Sequence, residues 1–189
     1  MKLIVGLGNP GPQYANTRHN VGFRVAEALE RRWTLGGWKE KFSACVADGR
    51  IHDQRVVLLR PQTFMNRSGQ AVMSAGRFYK CDVADLLLIS DDLDLEPGRL
   101  RLRANGSSGG QRGLEDVIAR LGTDEFARLR IGIGRPARGD PIDYILGPFN
   151  AADEEWLTAT LQRACDAVEC WVQQGIETAM NTFNRSTQV

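Results

Sequence analysis

Leu86-Leu-Leu-Ile89 is an apolar run without alternation, closed by Ser90 and then Asp91-Asp92-Leu93-Asp94. A strand with one wet face alternates apolar and polar residues, whereas an unbroken apolar run marks a strand buried on both faces. Such a strand needs a covering layer on each side. Met1 to Gly6 is another short apolar strand, and Leu129 to Ile133 is a third. Phe42 to Ala47 and Val56 to Leu59 are β-prone, with a hairpin signal at Asp48-Gly49 between them. Arg99-Leu-Arg-Leu-Arg103 alternates strictly, as a strand with one basic, solvated face does. Helical spacing links Val21, Val25, Ala28, Leu29 and Trp33, with Asn20 placed to cap them. It recurs at Val72, Ala75, Phe78 and Tyr79 within Ser68 to Tyr79. It appears again at Leu114, Val117, Ile118 and Leu121 before a Gly122 stop, and along Asp153 to Gln174 before Gly175. Strands and helices interleave, so the expected fold is α/β. It is a single domain over residues 1–189, with a mixed β-sheet flanked by helices on both faces.

Composition narrows the function classes. Hydrophobic residues make up 42% and charged residues 25%, values of an ordinary globular chain long enough to bury a core without staples. Its apolar runs are strand-sized, which argues against a membrane partner. Lys2-Leu-Ile-Val-Gly6 is not followed by a cleavable apolar core, so a cytoplasmic location is expected. Cys45, Cys81, Cys165 and Cys170 form no CxxC pair, and His19 and His52 are the only imidazoles. No metal site is therefore expected, and the thiols read as free groups in a reducing compartment. The net charge of +1 hides an asymmetry. Between Arg99 and Arg138 there are nine Arg against four acids, whereas Gly139 to Val189 carries two Arg against eight acids. One basic zone suggests a polyanionic partner on that side, with a plain solvated face as the alternative.

Several motifs carry chemistry. Gly6-Leu-Gly-Asn-Pro-Gly11 spells GxGxxG after a strand, but Pro10 and Pro12 remove N–H donors where a phosphate-binding helix should start. No acid closes a following strand at the distance ribose recognition needs. A tight structural turn is the sounder reading, and a turn presenting Asn9 at a strand's carboxyl end is the functional alternative. Thr17-Arg18-His19-Asn20 places a histidine in a polar loop, where most histidines are simply surface residues. His52, near Gly49 and Asp53, reads as exposed and inert. In Phe64-Met-Asn66-Arg-Ser68, Asn66 or Ser68 could cap the next helix, or Phe64 and Asn66 could hold a base and a carbonyl. Asp91, Asp92 and Asp94 cannot all converge on a metal, because neighbouring strand residues face opposite sides. One of them orienting a histidine is more economical. Asn105-Gly-Ser-Ser-Gly-Gly-Gln-Arg-Gly113 opens a helix and, with Arg99, Arg101, Arg103 and Arg112, is the best anion site in the chain, with a flexible surface loop as the alternative.

In this order and at these separations the motifs resemble the bacterial peptidyl-tRNA hydrolase family. The resemblance lies in Lys2 to Gly11, Tyr14, Thr17 to Gly22, Thr63 to Asn66, Ser68-Gly69, Asp91 to Asp94, Pro97-Gly98, Gly109-Gly110, Gly113-Leu114 and Arg128 to Gly134. It covers residues 2 to about 149, and the last acidic helix matches in kind. The resemblance implies a monomeric, mixed twisted sheet and hydrolysis of the ester joining a peptide to tRNA, with no cofactor. His19 resembles the catalytic base and Asp91 the carboxylate that supports it. Asn9 resembles the residue that checks for a blocked amino group, and Asn66 an amide that holds substrate. Tyr14 and Phe64 resemble contacts to the nucleic-acid end. Arg103 and Arg130 fall where the family meets the phosphates of peptidyl-tRNA, along its acceptor arm. An RNA-binding protein without catalysis and a nucleotide-dependent oxidoreductase are the rival classes. A covalent cysteine mechanism is disfavoured, since no cysteine adjoins His19 or Asp91 in these motifs.

One departure stands out. Where the family usually reads Gly-Gly-His-Asn-Gly, this chain has Gly109-Gly-Gln111-Arg112-Gly113. Arg112 replaces an amide that can both donate and accept with a group that only donates. The expectation is that this leaves the His–Asp pair untouched and that Arg112 meets a phosphate or the peptide carbonyl. Arg112→Ala should then raise KM more than it lowers kcat in a steady-state assay; a wild-type KM would refute the contact.

Overall fold

The computed structural model describes residues 1–185. Seven strands form one sheet: β1 (Lys2–Gly6), β2 (Lys39–Lys41), β3 (Ala44–Ile51), β4 (Gln54–Pro61), β5 (Leu86–Asp92), β6 (Leu100–Arg103) and β7 (Ala127–Gly132). Their order is β2-β3-β4-β1-β5-β7-β6. The central four, β4, β1, β5 and β7, are parallel, and the flanking strands are antiparallel. The sheet is therefore mixed, as interleaved elements imply.

Among the described residues six α-helices complete the fold: α1 (Val21–Trp33), α2 (Ser68–Tyr79), α3 (Arg112–Leu121), α4 (Pro141–Leu146), α5 (Ala151–Gln174) and α6 (Ile176–Phe183). The central strand β5 shows why both faces are covered. Leu87 and Ile89 join a core with Val25 and Leu29 of α1, Val168 and Trp171 of α5, and Ala179 of α6. Leu86 and Leu88 join a second core with Ala71, Val72 and Ala75 of α2 and Leu114 and Val117 of α3. Each of these leucine or isoleucine side chains contributes about 1.5–3 kcal/mol when fully buried, so an alternating polar residue here would forfeit one layer.

The carboxyl ends of the parallel strands are where the layers close most tightly. A Cβ on Gly22, in the first turn of α1, would sit 2.5 Å from the carbonyl oxygens of Ile89 and Leu7. One on Gly6 would sit 2.2 Å from the oxygen of Gly22. These glycines belong to close packing of helix on sheet, not to a phosphate-binding turn. They bring the start of α1 down onto the ends of β1 and β5.

Four local expectations are corrected. The hairpin between β3 and β4 turns at His52-Asp53, since Ile51 pairs with Gln54, and Gly49 lies within β3 opposite Val56. His52 takes the left-handed backbone this turn needs, with φ 50°. Asn20 stands at the first cap of α1 but makes no capping bond. Neither Asn66 nor Ser68 caps α2; Asp116 of α3 instead accepts the Gly69 N–H at 2.8 Å. Phe78 is exposed on α2 while Val72 and Ala75 are buried. For the two caps, a contact outside the helix took the group that local spacing had assigned.

Gly22→Ala should cost at least about 2 kcal/mol in urea unfolding, because backbone must move to admit the methyl. Gly76→Ala in α2, where a Cβ meets nothing within 4 Å, should instead stabilise by about 0.5–1 kcal/mol.

Candidate active site

The turn Arg18–Asn20 immediately precedes α1, so the close seating of α1 fixes where His19 lies. His19 Nδ1 meets Asp91 Oδ2, near the end of β5, at 2.8 Å. Both side chains are buried. A carboxylate only accepts, so Nδ1 carries the ring proton and Nε2 keeps a lone pair. Among the described residues Nε2 has no protein partner, and the ring lines a cavity of about 750 Å³.

Asn9, just beyond β1, lines the same cavity. The buried Asn20 grips its peptide from both sides: Asn20 Oδ1 accepts the Asn9 N–H at 2.8 Å, and Asn20 Nδ2 donates to the Asn9 carbonyl at 2.9 Å. Asn9 Oδ1 accepts the Met65 N–H at 2.8 Å. Its Nδ2 has no protein partner among the described residues. A short turn at Met65–Arg67 puts Asn66 on the cavity wall and Phe64 at its mouth, with Phe64 56% exposed. Tyr14 meets the Phe64 ring edge-on, 6.5 Å between centroids.

The three aspartates after Ser90 diverge, as strand geometry requires. Asp91 turns to His19, Asp92 to Arg130 at 3.3 Å, and Asp94 to Arg135. Among the described residues no three His, Cys, Asp or Glu side chains gather to hold a metal.

Sequence reasoning missed three contributors. Gln111 is buried; its Nε2 donates to the other oxygen of Asp91 at 3.1 Å, and its Oε1 accepts the Leu114 N–H at 2.8 Å, capping α3. The departure at Gln111-Arg112 therefore does reach the His–Asp pair, contrary to expectation. Arg112 itself is exposed on the cavity wall. Asn20 is the second, and its signal was a polar residue at a cap position whose side chain the helix does not use. The third is Arg18, whose guanidinium pairs with Asp153 of α5 at 2.8 Å and stacks on Tyr144 of α4 at 4.3 Å. It ties the histidine turn to α4, whose Ile142, Ile145 and Leu146 form the apolar wall of the cavity.

The basic zone is partly structural. Arg128 is fully buried and donates to the Asp124, Phe126, Gly106 and Ser107 carbonyls. Burial, reinforced by Arg130, lowers its pKa to about 10. Arg130 is held by Asp92 and by the Ser107 carbonyl. Across the β6–β7 ladder Arg101 faces Arg130 and Arg103 faces Arg128. These four line a second cavity, of about 300 Å³, with Asn105, Gly106 and Ser107 and no acid among its lining residues.

A histidine–carboxylate pair with a free ring nitrogen thus lies at the carboxyl ends of the parallel strands of an α/β protein, a placement that suits proton transfer. Comparison with known proteins supplies the family. The sequence matches the family described as peptidyl-tRNA hydrolase over residues 3–189. A Rhodopirellula baltica protein named peptidyl-tRNA hydrolase is 50% identical over 188 residues, 99% of each chain. A Symbiobacterium thermophilum protein of that name is 52% identical over 186 residues, 97% of this chain and 98% of its own. The crystal structure of peptidyl-tRNA hydrolase from Acinetobacter baumannii superposes with a TM-score of 0.91 at 37% identity, covering 97% of this chain and 94% of that one. The chain belongs to the peptidyl-tRNA hydrolase family. The match runs through the last helices, beyond the residue near 149 where motif resemblance stopped.

Arg18→Ala leaves Asp153 without its cation and strips the face of Tyr144. It should lower stability by about 1–3 kcal/mol in chemical unfolding, since the pair is partly buried and removing one partner leaves the other charge uncompensated.

Proposed function

We propose that this chain cleaves the ester between a peptide, or an N-blocked amino acid, and the 3′ end of tRNA, returning tRNA from peptidyl-tRNA released by ribosomes. The observation that carries the reading is the buried 2.8 Å contact of His19 Nδ1 with Asp91, which leaves Nε2 open on the cavity. His19 takes a proton from the attacking water through Nε2. Asp91 holds the tautomer and stabilises the imidazolium that forms. An ester so attacked needs an activated water, a place for the developing oxyanion and two immobilised ends.

Asn9 supplies selectivity. With Oδ1 committed to Met65, its Nδ2 is left to donate. A carbonyl on the acyl group that blocks the substrate's amine can accept that bond; a free ammonium cannot. Asn66, on the cavity wall beside Met65, holds the substrate near the scissile bond. Tyr14 and Phe64 stack on the terminal nucleotide at the cavity mouth. Arg103 and Arg130 meet acceptor-arm phosphates, and Arg112 a phosphate or the peptide carbonyl. Arg101 and Arg103 on β6 support an anionic partner, because neither meets an acid among the described residues while Arg130, opposite Arg101, is already paired with Asp92. The protein acts as a monomer in the cytoplasm, without metal or cofactor.

The test is release of N-acetyl amino acid from N-acetyl-aminoacyl-tRNA with no cofactor added. Wild-type protein should release it, and should act far more slowly on unblocked aminoacyl-tRNA. His19→Ala should lose about 10²–10⁴-fold in kcat with tRNA affinity retained. Binding of tRNA by the wild type with no release would return the chain to the non-catalytic RNA-binding class, and full activity of His19→Ala would remove this histidine from the mechanism.

A further inference from the structure

Asp91 has two oxygens, and only one of them meets the histidine. The other, Oδ1, accepts from Gln111 Nε2 at 3.1 Å, inside a site where both residues are buried. The direction of this bond is set by the far end of the amide. The Leu114 N–H can only donate, and it meets Gln111 Oε1 at 2.8 Å, so the NH₂ end must face Asp91. The same NH₂ also touches Met65 Sδ at 3.3 Å, which fixes its plane against the turn carrying Asn66. A Cβ on Gly113 would lie 2.5 Å from that sulfur and 3.0 Å from Gln111 Oε1, so the packing around the amide is closed.

We infer that Gln111 is a positioning residue of the hydrolytic site: it anchors the Asp91 carboxylate to the first turn of α3 through a donor that does not titrate, and so holds Asp91 Oδ2 on His19 Nδ1 across the working pH range. The inference rests on the esterase reading of the site. Without the Gln111 anchor the carboxylate can rotate about its last bond, and the imidazole loses its fixed tautomer and aim. The family's usual histidine at this position would bring a second ionisation beside Asp91. In this chain the amide removes that ionisation.

The other charges around the pair do not supply an equivalent anchor. Arg18 is turned to Asp153, Asp92 is paired with Arg130, and Asp94 with Arg135. Arg67 and Arg112 line the cavity from exposed positions.

Gln111→Glu separates positioning from capping. A glutamate still accepts the Leu114 N–H, so α3 stays capped, but when ionised it cannot donate to Asp91. Two carboxylates in contact keep one shared proton at lower pH and lose it as pH rises. The expected result is a kcat near wild type at about pH 6, falling at least about tenfold by about pH 8.5, with KM within about twofold and uncatalysed ester hydrolysis subtracted. Each variant is read as a ratio to wild type at the same pH, so that protonation of the base common to both cancels. Gln111→Met, which has no proton to share, should lose about tenfold in kcat at every pH. Gln111→His, whose neutral ring both donates and accepts, should restore the high-pH rate to within about threefold. A flat, wild-type kcat for Gln111→Glu up to about pH 8.5, or a wild-type kcat for Gln111→Met, would overturn the inference. The two readings fail differently: a wild type that releases no N-acetyl amino acid removes the esterase, whereas an active wild type and inactive His19→Ala beside unaffected Gln111 variants remove only the anchor.

Discussion

The site depends on a contact that contains no functional group. Gly22 lets the first turn of α1 rest against the carbonyls of Leu7 and Ile89, and Gly6 lets β1 receive it. His19 stands three residues before Gly22 and Asp91 two residues after Ile89, so this helix-on-sheet contact sets the distance between them. A buried imidazole and carboxylate at 2.8 Å gain from the low dielectric only while that geometry holds. The glycines have a steric reason, and the hydrogen bond inherits it.

From that contact outward, the site is a chain of committed amides. Asn20 holds the Asn9 peptide, Asn9 Oδ1 holds Met65, Met65 packs on Gln111, and Gln111 returns to Asp91. Each member uses one end structurally and presents the other, or passes it on. Within this network His19 Nε2 and Asn9 Nδ2 are without a protein partner among the described residues, one an acceptor and one a donor. A water to be deprotonated and a carbonyl to be bound need that combination.

The arginines illustrate how a linear charge cluster is divided by folding. Arg128 spends its donors on backbone carbonyls of the Gly-Ser loop and of the residues just before its own strand, and Arg120 and Arg135 pair with acids. Arg103 and Arg112 stay exposed. The positive face is thus smaller than composition suggests, and it is concentrated at the edge strand β6 and the loop that folds over it.

Local patterns were sufficient for much of the architecture. The unbroken run at Leu86 demanded two covering layers, and both are present; α1, α2 and the stop of α3 at Gly122 begin or end where spacing and glycine place them. These are properties of residues within a few turns of one another, where periodicity and backbone preference act directly. The caps of α1 and α2 were not legible, because partners outside each helix decided them, and neither were the hairpin position or the exposure of Phe78. The same division runs through the site. Asn9, His19, Asn66 and Asp91 stood out by motif, but Gln111 looked like a loop substitution and Arg18 like a neighbour of the histidine. Their roles arise from atoms 20 and 135 positions away, at Asp91 and Asp153. By itself the sequence determined which elements form and which residue types are available for chemistry. Only the tertiary structure decided which donor meets which acceptor, because a hydrogen bond is specified by ångström distances between groups that chain order does not encode.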